Sequence, residues 1–168
     1  MLTRSPNGQK FAVTFYAKAR IKAAIKHLPF SKALHVWNGI IMIIVYGINE
    51  HLNPIKSNLS QVIHGSMQSI LGMPEDKRAH RFVPMDKEDF YYPGGRSEAY
   101  TVIEINMIEG REKETQKALI KSLFTEIERQ LGIAPIDIEI TIKEQPAHCW
   151  GFRGITGDEA KLNYNINV

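Results

Sequence analysis

The sequence predicts an α/β (α+β) protein made of two tandem β-α-β repeats, which together form a four-stranded sheet with two helices on one face. One observation is a period of sixty residues, at which four apolar residues and a glycine recur. They are Leu59, Ile63, Met67, Leu71 and Gly72, matched by Leu119, Leu123, Ile127, Leu131 and Gly132. A second observation is that a strand-like stretch precedes each set, at 42–48 and 102–108. Self-similarity at a fixed period indicates a duplicated structural unit.

In the first repeat, the apolar stretch at 42–48 predicts a buried strand. Asn53 is the predicted N-cap of the helix that follows, and Pro54 takes its first helical position, where proline is tolerated. The helix is expected to end at Gly72, because glycine readily adopts the left-handed conformation of a helix C-cap. A second, weaker strand is predicted at 81–85.

In the second repeat, Glu112 and Glu114 open the predicted helix, where acidic side chains favour the positive end of the helix dipole, and Gly132 ends it. Residues 136–143 alternate between apolar and polar, which predicts a strand with one buried face. Residues 89–96 contain adjacent glycines and are expected to form the turn between the repeats. Two such units give a two-layer domain whose sheet edges or open face neighbouring subunits would cover.

Charge divides the chain near residue 41. Residues 1–41 hold seven Lys and Arg and no acidic residue, whereas the remainder holds fourteen Lys and Arg against eighteen Asp and Glu. We therefore expect residues 1–41 to be a basic leader outside the fold. Residues 42–168 are the predicted domain, with repeats at about 42–98 and 99–168.

Within the leader, residues 15–28 have the pattern of a basic amphipathic helix. An acid-poor segment of this kind is typical of a transit peptide or of a helix that lies on a membrane surface. Translated upstream sequence without a role is the alternative interpretation.

Several classes of protein are excluded by composition. The longest apolar run, residues 39–48, is too short to span a bilayer, so no membrane contact is expected for residues 42–168. A single cysteine, Cys149, excludes an internal disulfide framework and favours a reducing, cytoplasmic location. The His and Cys residues lack the spacing of a metal site, and the domain is net acidic. We therefore expect no metal and no nucleic-acid partner.

Three motifs occur in order on this frame: E-G-R at 109–111, G-I-A-P at 132–135 and W-G-F-R-G at 150–154. The segment INMIEGREKETQKALIKSLFTEIERQLGIAPIDIEITIKE is similar to the 4-oxalocrotonate tautomerase family. The two-repeat length and the segment GIAPIDIEITIKEQPAHCWGFRG are closer to the malonate semialdehyde decarboxylase family. Over about residues 42–160, the chain therefore resembles the tautomerase superfamily, whose fold is also that of MIF-like proteins.

The resemblance implies a homotrimer, pseudo-sixfold because each chain has two repeats. It implies keto-enol tautomerisation, or related proton-transfer or decarboxylation chemistry, on a small carboxylate-containing oxo-acid without a cofactor. The catalytic group of the superfamily is an amino-terminal proline. Its amine serves as a base or an acid near neutral pH, because an apolar pocket among arginines disfavours the charged form. The arginines bind the substrate carboxylate and stabilise the enolate.

The sequence departs from that pattern at the amino terminus, since no proline follows Met1 and Ile43 follows Met42. We expect Met42 to be the natural start, because the acid-free leader ends and the repeat pattern begins there. Its α-amine is then predicted to stand where the superfamily has the proline nitrogen. Glu139 occupies the position of a second arginine of the superfamily's short members. A non-catalytic scaffold that binds a small carboxylate or a protein partner is the alternative function.

Met42 and Arg111 are the predicted catalytic residues. Arg111 follows a strand end, where it can turn toward a carboxylate; a solvated arginine is the alternative, although the dipole at a helix start disfavours it. Trp150 and Arg153 are predicted to bind substrate, because the superfamily has an aromatic wall in this segment. A tryptophan in the core or at a trimer contact is the alternative.

Arg78 and Arg81 lie at the entry to the second strand and are also predicted to bind substrate. A surface or interface salt bridge is the alternative for both. Asp76 lies about one residue from the position at which decarboxylase-like members carry an acidic residue.

Overall fold

Two β-α-β units follow one another in the computed structural model, which describes residues 41–159. The first unit comprises β1 (Ile41–Ile48), α1 (Asn49–Leu71) and β2 (His80–Met85). The second comprises β3 (Thr101–Ile108), α2 (Lys113–Leu131) and β4 (Ile138–Gln145). A small hairpin of β5 (Gly151–Phe152) and β6 (Ile155–Thr156) follows. Short 3-10 turns at Lys87–Asp89, Pro135–Asp137 and Ala147–Cys149 precede or follow the strands.

The four long strands form one sheet in the order β2-β1-β3-β4. Each outer strand is parallel to the inner strand of its own repeat, and the two inner strands are antiparallel. Ile44 lies directly opposite Glu104 in the central pair. These two residues are equivalent under the sixty-residue shift, so a pseudo-twofold axis passes between them. The predicted fold class is therefore confirmed, including the internal repeat.

The core lies between the two helices and one face of the sheet. Alternate residues of the inner strands are completely or almost completely buried, as the period of a strand requires, with Ile43, Val45, Ile103 and Ile105 at 0% exposure. The apolar helix positions that define the repeat point into the same cluster. Both helices end as predicted, because Gly72 and Gly132 have left-handed φ angles of 65° and 70°.

The predicted start of the first helix was wrong. Helix α1 begins at Asn49, one turn before the predicted cap at Asn53, so Pro54 lies inside the helix. Strand β1 leads into α1 without a loop, with Ile48 in the N-cap position. Proline lacks the N–H that would bond the carbonyl of Glu50, so the helix tolerates it at the loss of one hydrogen bond near its first turn.

The start of the last long strand is also later than predicted, at Ile138 rather than residue 136. A 3-10 turn takes up residues 135–137, with Pro135 at its first position. Asp137 in this turn is buried and accepts hydrogen bonds from the backbone N and the Oγ of Ser97, both at 2.7 Å. These bonds lower the pKa of the Asp137 carboxyl and fasten the connection between the repeats to β4.

Within residues 41–159, no helix is both long and apolar enough to cross a membrane. Residues 1–40 of the predicted leader, including the predicted amphipathic helix at 15–28, lie outside the described residues, whereas Ile41 is the first residue of β1.

Candidate active site

The pseudo-twofold axis makes the two ends of the sheet structurally equivalent. We define the arginine end as the start of β1 and β2 together with the ends of β3 and β4, which the strand pairing brings to one side. The tyrosine end is its symmetry mate, formed by the start of β3 and β4 and the ends of β1 and β2. The strand backbones match, but residues 109–112 form a loop before α2 whereas their counterparts 49–52 are helical, so the two ends differ in this connection as well as in their side chains.

At the tyrosine end, aromatic side chains pack against one another beside the start of β3. Tyr100 stacks on Tyr92 with ring centroids 5.4 Å apart, and Phe90 lies 6.2 Å from the same ring. The Tyr100 hydroxyl donates a 2.6 Å hydrogen bond to Glu139. Burial, followed by this bond, raises the pKa of Tyr100 to about 12. Glu139 is therefore engaged within its own chain.

The charged groups at the tyrosine end are also paired with one another. Glu98 accepts hydrogen bonds from Lys87 and shares one of 3.4 Å with His51. The bond from Lys87, more than that from His51, lowers the pKa of Glu98. Among the described residues, no buried polar side-chain atom at this end lacks a hydrogen-bond partner. The tyrosine end is thus closed by its own side chains.

The arginine end contains a buried cation. Arg111 is only 8% exposed, which is uncommon for an arginine. Gly110 makes this placement possible, because its φ of 122° lies where side chains other than glycine are strained. The Nη1 of Arg111 donates a 2.6 Å hydrogen bond to the carbonyl of Ile108, so the side chain turns back onto the end of β3. The chain therefore turns back within the E-G-R motif, and this turn buries the arginine side chain.

The guanidinium of Arg111 lies at the start of β1. The N–H of Ile43 bonds the carbonyl of Ala79, the residue before β2, so alternate residues such as Met42 face β3 and pair with Asn106. Ile108 lies two residues beyond Asn106 and its carbonyl points to the same side. The bond from Arg111 to Ile108 thus brings the guanidinium to the end of β1 where the chain enters the sheet.

Met42 is the second residue of β1 rather than the first. Ile41 precedes it in the strand, pairs with Met107 and is 4% exposed in the core. Met42 itself is half-buried, and its carbonyl accepts a 3.4 Å hydrogen bond from Nδ2 of Asn106. In a chain that began at Met42, the core would lack the side chain of Ile41.

Besides Nδ1 of His64 on α1, two buried polar atoms at the arginine end have no hydrogen-bond partner among the described residues. They are Oε1 of Glu144, near the end of β4, and Nε1 of Trp150, after the following 3-10 turn. The equivalents of these residues in the first repeat are Pro84 and Phe90, which carry no polar side-chain atom. The unpaired atoms are therefore a feature of this end alone and not of the repeated backbone.

Trp150 is held by the hairpin that follows it. Gly157 donates its N–H to the carbonyl of Trp150 at 2.8 Å, which closes the β5–β6 hairpin over the preceding turn. Arg153 and Gly154 form the two-residue hairpin turn, with φ angles of 54° and 80°. Arg153 is exposed at this tip, so it projects away from its own core.

The remaining predicted site residues lie at or near the start of β2. Arg78 is exposed in the loop before β2, at the arginine end. Arg81 is exposed on β2 opposite Ile44, on the sheet face away from the helices. Asp76 is also exposed and forms an ion pair of 2.8 Å with Lys77. The fold therefore brings Arg111 and Trp150 to one end, whereas Arg81 lies along the open face.

His80, the first residue of β2, packs against α1. Its Nδ1 lies 2.9 Å from Oγ of Ser60, and its ring is 6.1 Å from the ring of buried His64. Burial, and then the charges of His64 and Arg78, lower the pKa of His80 to about 4. His64 bonds the carbonyl of Glu75 through Nε2. The neutral form of His80 is therefore favoured at this position.

We expect the protein to lose stability as the pH falls from about 6.5 to about 4. In that range the unfolded chain binds a proton at His80 that the folded chain excludes, so acid favours unfolding. The loss should be on the order of 1–2 kcal/mol once the partial exposure of the ring is allowed for. Urea unfolding at several pH values checks this. A His80→Gln variant with the same pH slope as the parent would show that His80 is not the cause.

Comparisons with known proteins agree with the fold. A family model described as tautomerase enzyme matches residues 77–153. The probable tautomerase RSp0893 of Ralstonia nicotianae is 37% identical over 60 residues, which are 36% of this chain and 86% of that protein. The probable tautomerase YusQ of Bacillus subtilis is 27% identical over 99 residues, covering 56% of this chain and 78% of the relative.

Among solved structures, the R7 fused 4-OT, an asymmetric trimer, superimposes with a TM-score of 0.62 at 21% identity. That match covers 70% of this chain and 96% of the other. The chain belongs to the tautomerase superfamily, as the resemblance of its motifs predicted.

Glu144 is not among the site residues predicted from the sequence. The signal was present, because the alternation of β4 places Ile138, Ile140 and Ile142 on the face toward the helices and Glu144 next in that series. A carboxylate at an inward register position is uncommon without a partner or a role.

Proposed function

We propose that this protein catalyses keto-enol tautomerisation, or a related proton transfer or decarboxylation, on a small oxo-acid bound at the arginine end. The observation that carries the proposal is the buried guanidinium of Arg111 at the start of β1. Its bond to Ile108 fixes the guanidinium plane, and a fixed plane suits two-point binding of a carboxylate. The same charge stabilises the enolate that forms as a proton moves between oxygen and carbon.

For the proton-transfer group, one proposal is the α-amine of a chain that starts at Met42. An α-amine has an ordinary pKa of about 7.7–8.0, and neighbouring positive charge and burial favour its neutral, basic form. In a chain that retains residues 1–41, this nitrogen is an amide and cannot act as a base. The mass of the intact protein from its native source tests the start site. A mass that includes residues 1–41 would refute it.

The remaining candidates have supporting roles in this proposal. Trp150 walls the site and offers its indole N–H to the substrate, while Arg78 draws anions toward the entrance. Arg153, on its exposed hairpin tip, and Arg81, on the open sheet face, are placed to reach a neighbouring subunit. Substitution of Arg81 or Arg153 by alanine with no change in KM would remove that residue from the substrate-binding set.

The ketonisation of phenylenolpyruvate tests the function, because this enol loses its characteristic ultraviolet absorbance as it converts to the ketone. We expect the purified protein to accelerate the conversion well above the buffer rate. A rate equal to the buffer rate would contradict the enzyme. It would favour the second candidate, a scaffold that binds a small carboxylate or a protein partner, which the lack of proline after Met1 and Met42 also favours.

We also propose a homotrimer, on the basis of surface left open in the described chain. The sheet face away from the helices has no covering layer within residues 41–159, and β2 and β4 present unpaired edges. Val83 and Ile155 are 38% and 44% exposed. A cyclic assembly would cover such surface, and the R7 fused 4-OT is a trimer. Sedimentation at micromolar concentration should give the trimer mass, and a stable monomer would contradict it.

We place the protein in the cytoplasm, because Cys149 is an exposed free thiol that suits a reducing compartment. Fractionation of cells of the native source tests this location, and recovery only outside the cytoplasmic fraction would contradict it.

A further inference from the structure

We infer that Glu144 is the proton-transfer group of this site, whether or not the chain begins at Met42, and that the substrate is an enol acid with one carboxylate. The inference rests on the proposed function and deepens it. It assigns to a side chain of β4 the role that an amino-terminal proline has in the superfamily.

The carboxylate of Glu144 has an oxygen atom that lacks a hydrogen bond. Its Oε1 is buried and has no hydrogen-bond partner among the described residues. A buried acceptor without a partner costs roughly 1–3 kcal/mol, and more when it is charged. Other partly buried acids are matched: Asp137 accepts from Ser97, and Glu104 accepts from Lys143. An oxygen left in this condition can accept a hydrogen bond from a donor outside the described residues, such as a bound molecule.

Glu144 also lies at the same end of the sheet as Arg111. Glu144 lies opposite Met107 in the parallel β3–β4 pair, and neighbouring strands are about 4.8 Å apart. The next residue of β3 is Ile108, onto which Arg111 folds back. The ladder continues past the strand end, since the N–H of Glu109 bonds the carbonyl of Gln145 at 3.0 Å. The carboxylate on β4 and the guanidinium at the start of β1 therefore lie at the same end of the sheet, with β3 between them.

The symmetry-related tyrosine end lacks these groups. Under the sixty-residue shift, Arg111, Glu144 and Trp150 correspond to His51, Pro84 and Phe90, and His51 lies in helix α1 whereas Arg111 precedes α2. The exposed His51 pairs with Glu98, and the aromatic rings at that end pack on one another. The end with the unpaired oxygen of Glu144 and the unpaired indole nitrogen of Trp150 is therefore the one with the buried arginine.

These groups define the chemistry of the ligand. Arg111 and the indole N–H of Trp150 are donors, which suit a carboxylate and the oxygen beside it. Glu144 is an acceptor, which suits a hydroxyl group. A 2-hydroxy-2-enoic acid carries both features, whereas a second carboxylate at the Glu144 position would meet a like charge.

The reaction then needs one proton and no other reactant. The Glu144 carboxylate takes the proton of the enol hydroxyl, and the C2–O bond becomes the carbonyl as the electron pair of the C2–C3 double bond moves to C3. The carboxyl group of Glu144 delivers the same proton to C3 and is regenerated as a carboxylate. Arg111 stabilises the negative charge shared by the enolate and the carboxylate during the transfer.

The test is Glu144→Gln, which keeps the size of the side chain and removes the base. The matched control is Glu128→Gln, an exposed carboxylate on α2. Turnover of phenylenolpyruvate and binding of phenylpyruvate are measured for each variant. Both substitutions are made in the full chain and in a chain that starts at Met42.

We expect Glu144→Gln to lower kcat by about 100-fold or more, the usual contribution of a general base, with KM and phenylpyruvate binding within about threefold of the parent. Glu144→Asp should recover part of the loss, and Glu128→Gln should equal the parent. The full chain should be active.

Three results would overturn the inference: a Glu144→Gln variant that keeps kcat within about threefold, loss of phenylpyruvate binding together with turnover, or activity confined to the chain that starts at Met42. No turnover by either parent chain would instead defeat the proposed function itself, and the inference with it.

Discussion

Replacement of Arg111 by alanine is expected to lower kcat/KM for an enol acid by about 100- to 10 000-fold. The variant loses two charge-assisted hydrogen bonds to the carboxylate, each worth about 1.5–3 kcal/mol, and each 1.36 kcal/mol corresponds to tenfold in rate. Arg111→Lys should recover only part of the loss, because lysine supplies the charge without the planar fork.

The same substitution also removes a structural contact, so the two effects need to be separated. Arg111 is buried and donates to the carbonyl of Ile108, whose loss should cost about 1–3 kcal/mol of stability. Arg129→Ala is the matched control, because Arg129 forms an exposed i,i+3 pair with Glu126. That change should leave kcat/KM unaltered. A folded Arg111→Ala protein with full kcat/KM would place the substrate elsewhere.

Replacement of Gly157 by alanine should disturb the Trp150 wall. A Cβ at this position would lie 2.4 Å from the carbonyl oxygen of Ala147 and 3.3 Å from Cβ of Trp150. Since the first of these neighbours is backbone, the hairpin and the preceding turn must separate. The bond from Gly157 to the Trp150 carbonyl would break with them. We expect at least about a tenfold loss of kcat/KM and about 1–3 kcal/mol of destabilisation.

Gly65→Ala is the control for the Gly157 experiment. Gly65 lies on the exposed side of α1, and a Cβ there meets no atom within 4 Å. Alanine should therefore stabilise the helix by up to about 1 kcal/mol without changing kcat/KM. Near-ultraviolet circular dichroism reports the aromatic environment in both variants. Unchanged spectra and activity for Gly157→Ala would show that the hairpin does not support the site.

Much of the fold could be predicted because its signals are local. Apolar residues at helical spacing and the left-handed glycines at Gly72 and Gly132 are written directly in the sequence. The start of α1 was wrong because Asn53 followed by Pro54 has the form of a cap, whereas the direct passage from β1 to α1 sets the boundary one turn earlier. A tertiary constraint prevailed over a local preference.

The site was less predictable, because it depends on residues far apart in sequence. Closure of the tyrosine end requires Tyr100 to reach Glu139 and Ser97 to reach Asp137. Neither pairing has a local signal. Arg111 could be predicted from its motif, but its return to Ile108 depends on the φ of Gly110. The contrast between the two ends depends on side chains that the two repeats do not share.

The most direct test of the account is a crystal structure of the protein with phenylpyruvate bound. We predict that the ligand carboxylate accepts hydrogen bonds from Arg111 at the start of β1. The neighbouring keto oxygen should lie within hydrogen-bond distance of Nε1 of Trp150, and C3 should face the carboxylate of Glu144. Phenylpyruvate bound at the tyrosine end, or bound without contact to Arg111, would contradict the assignment of the site.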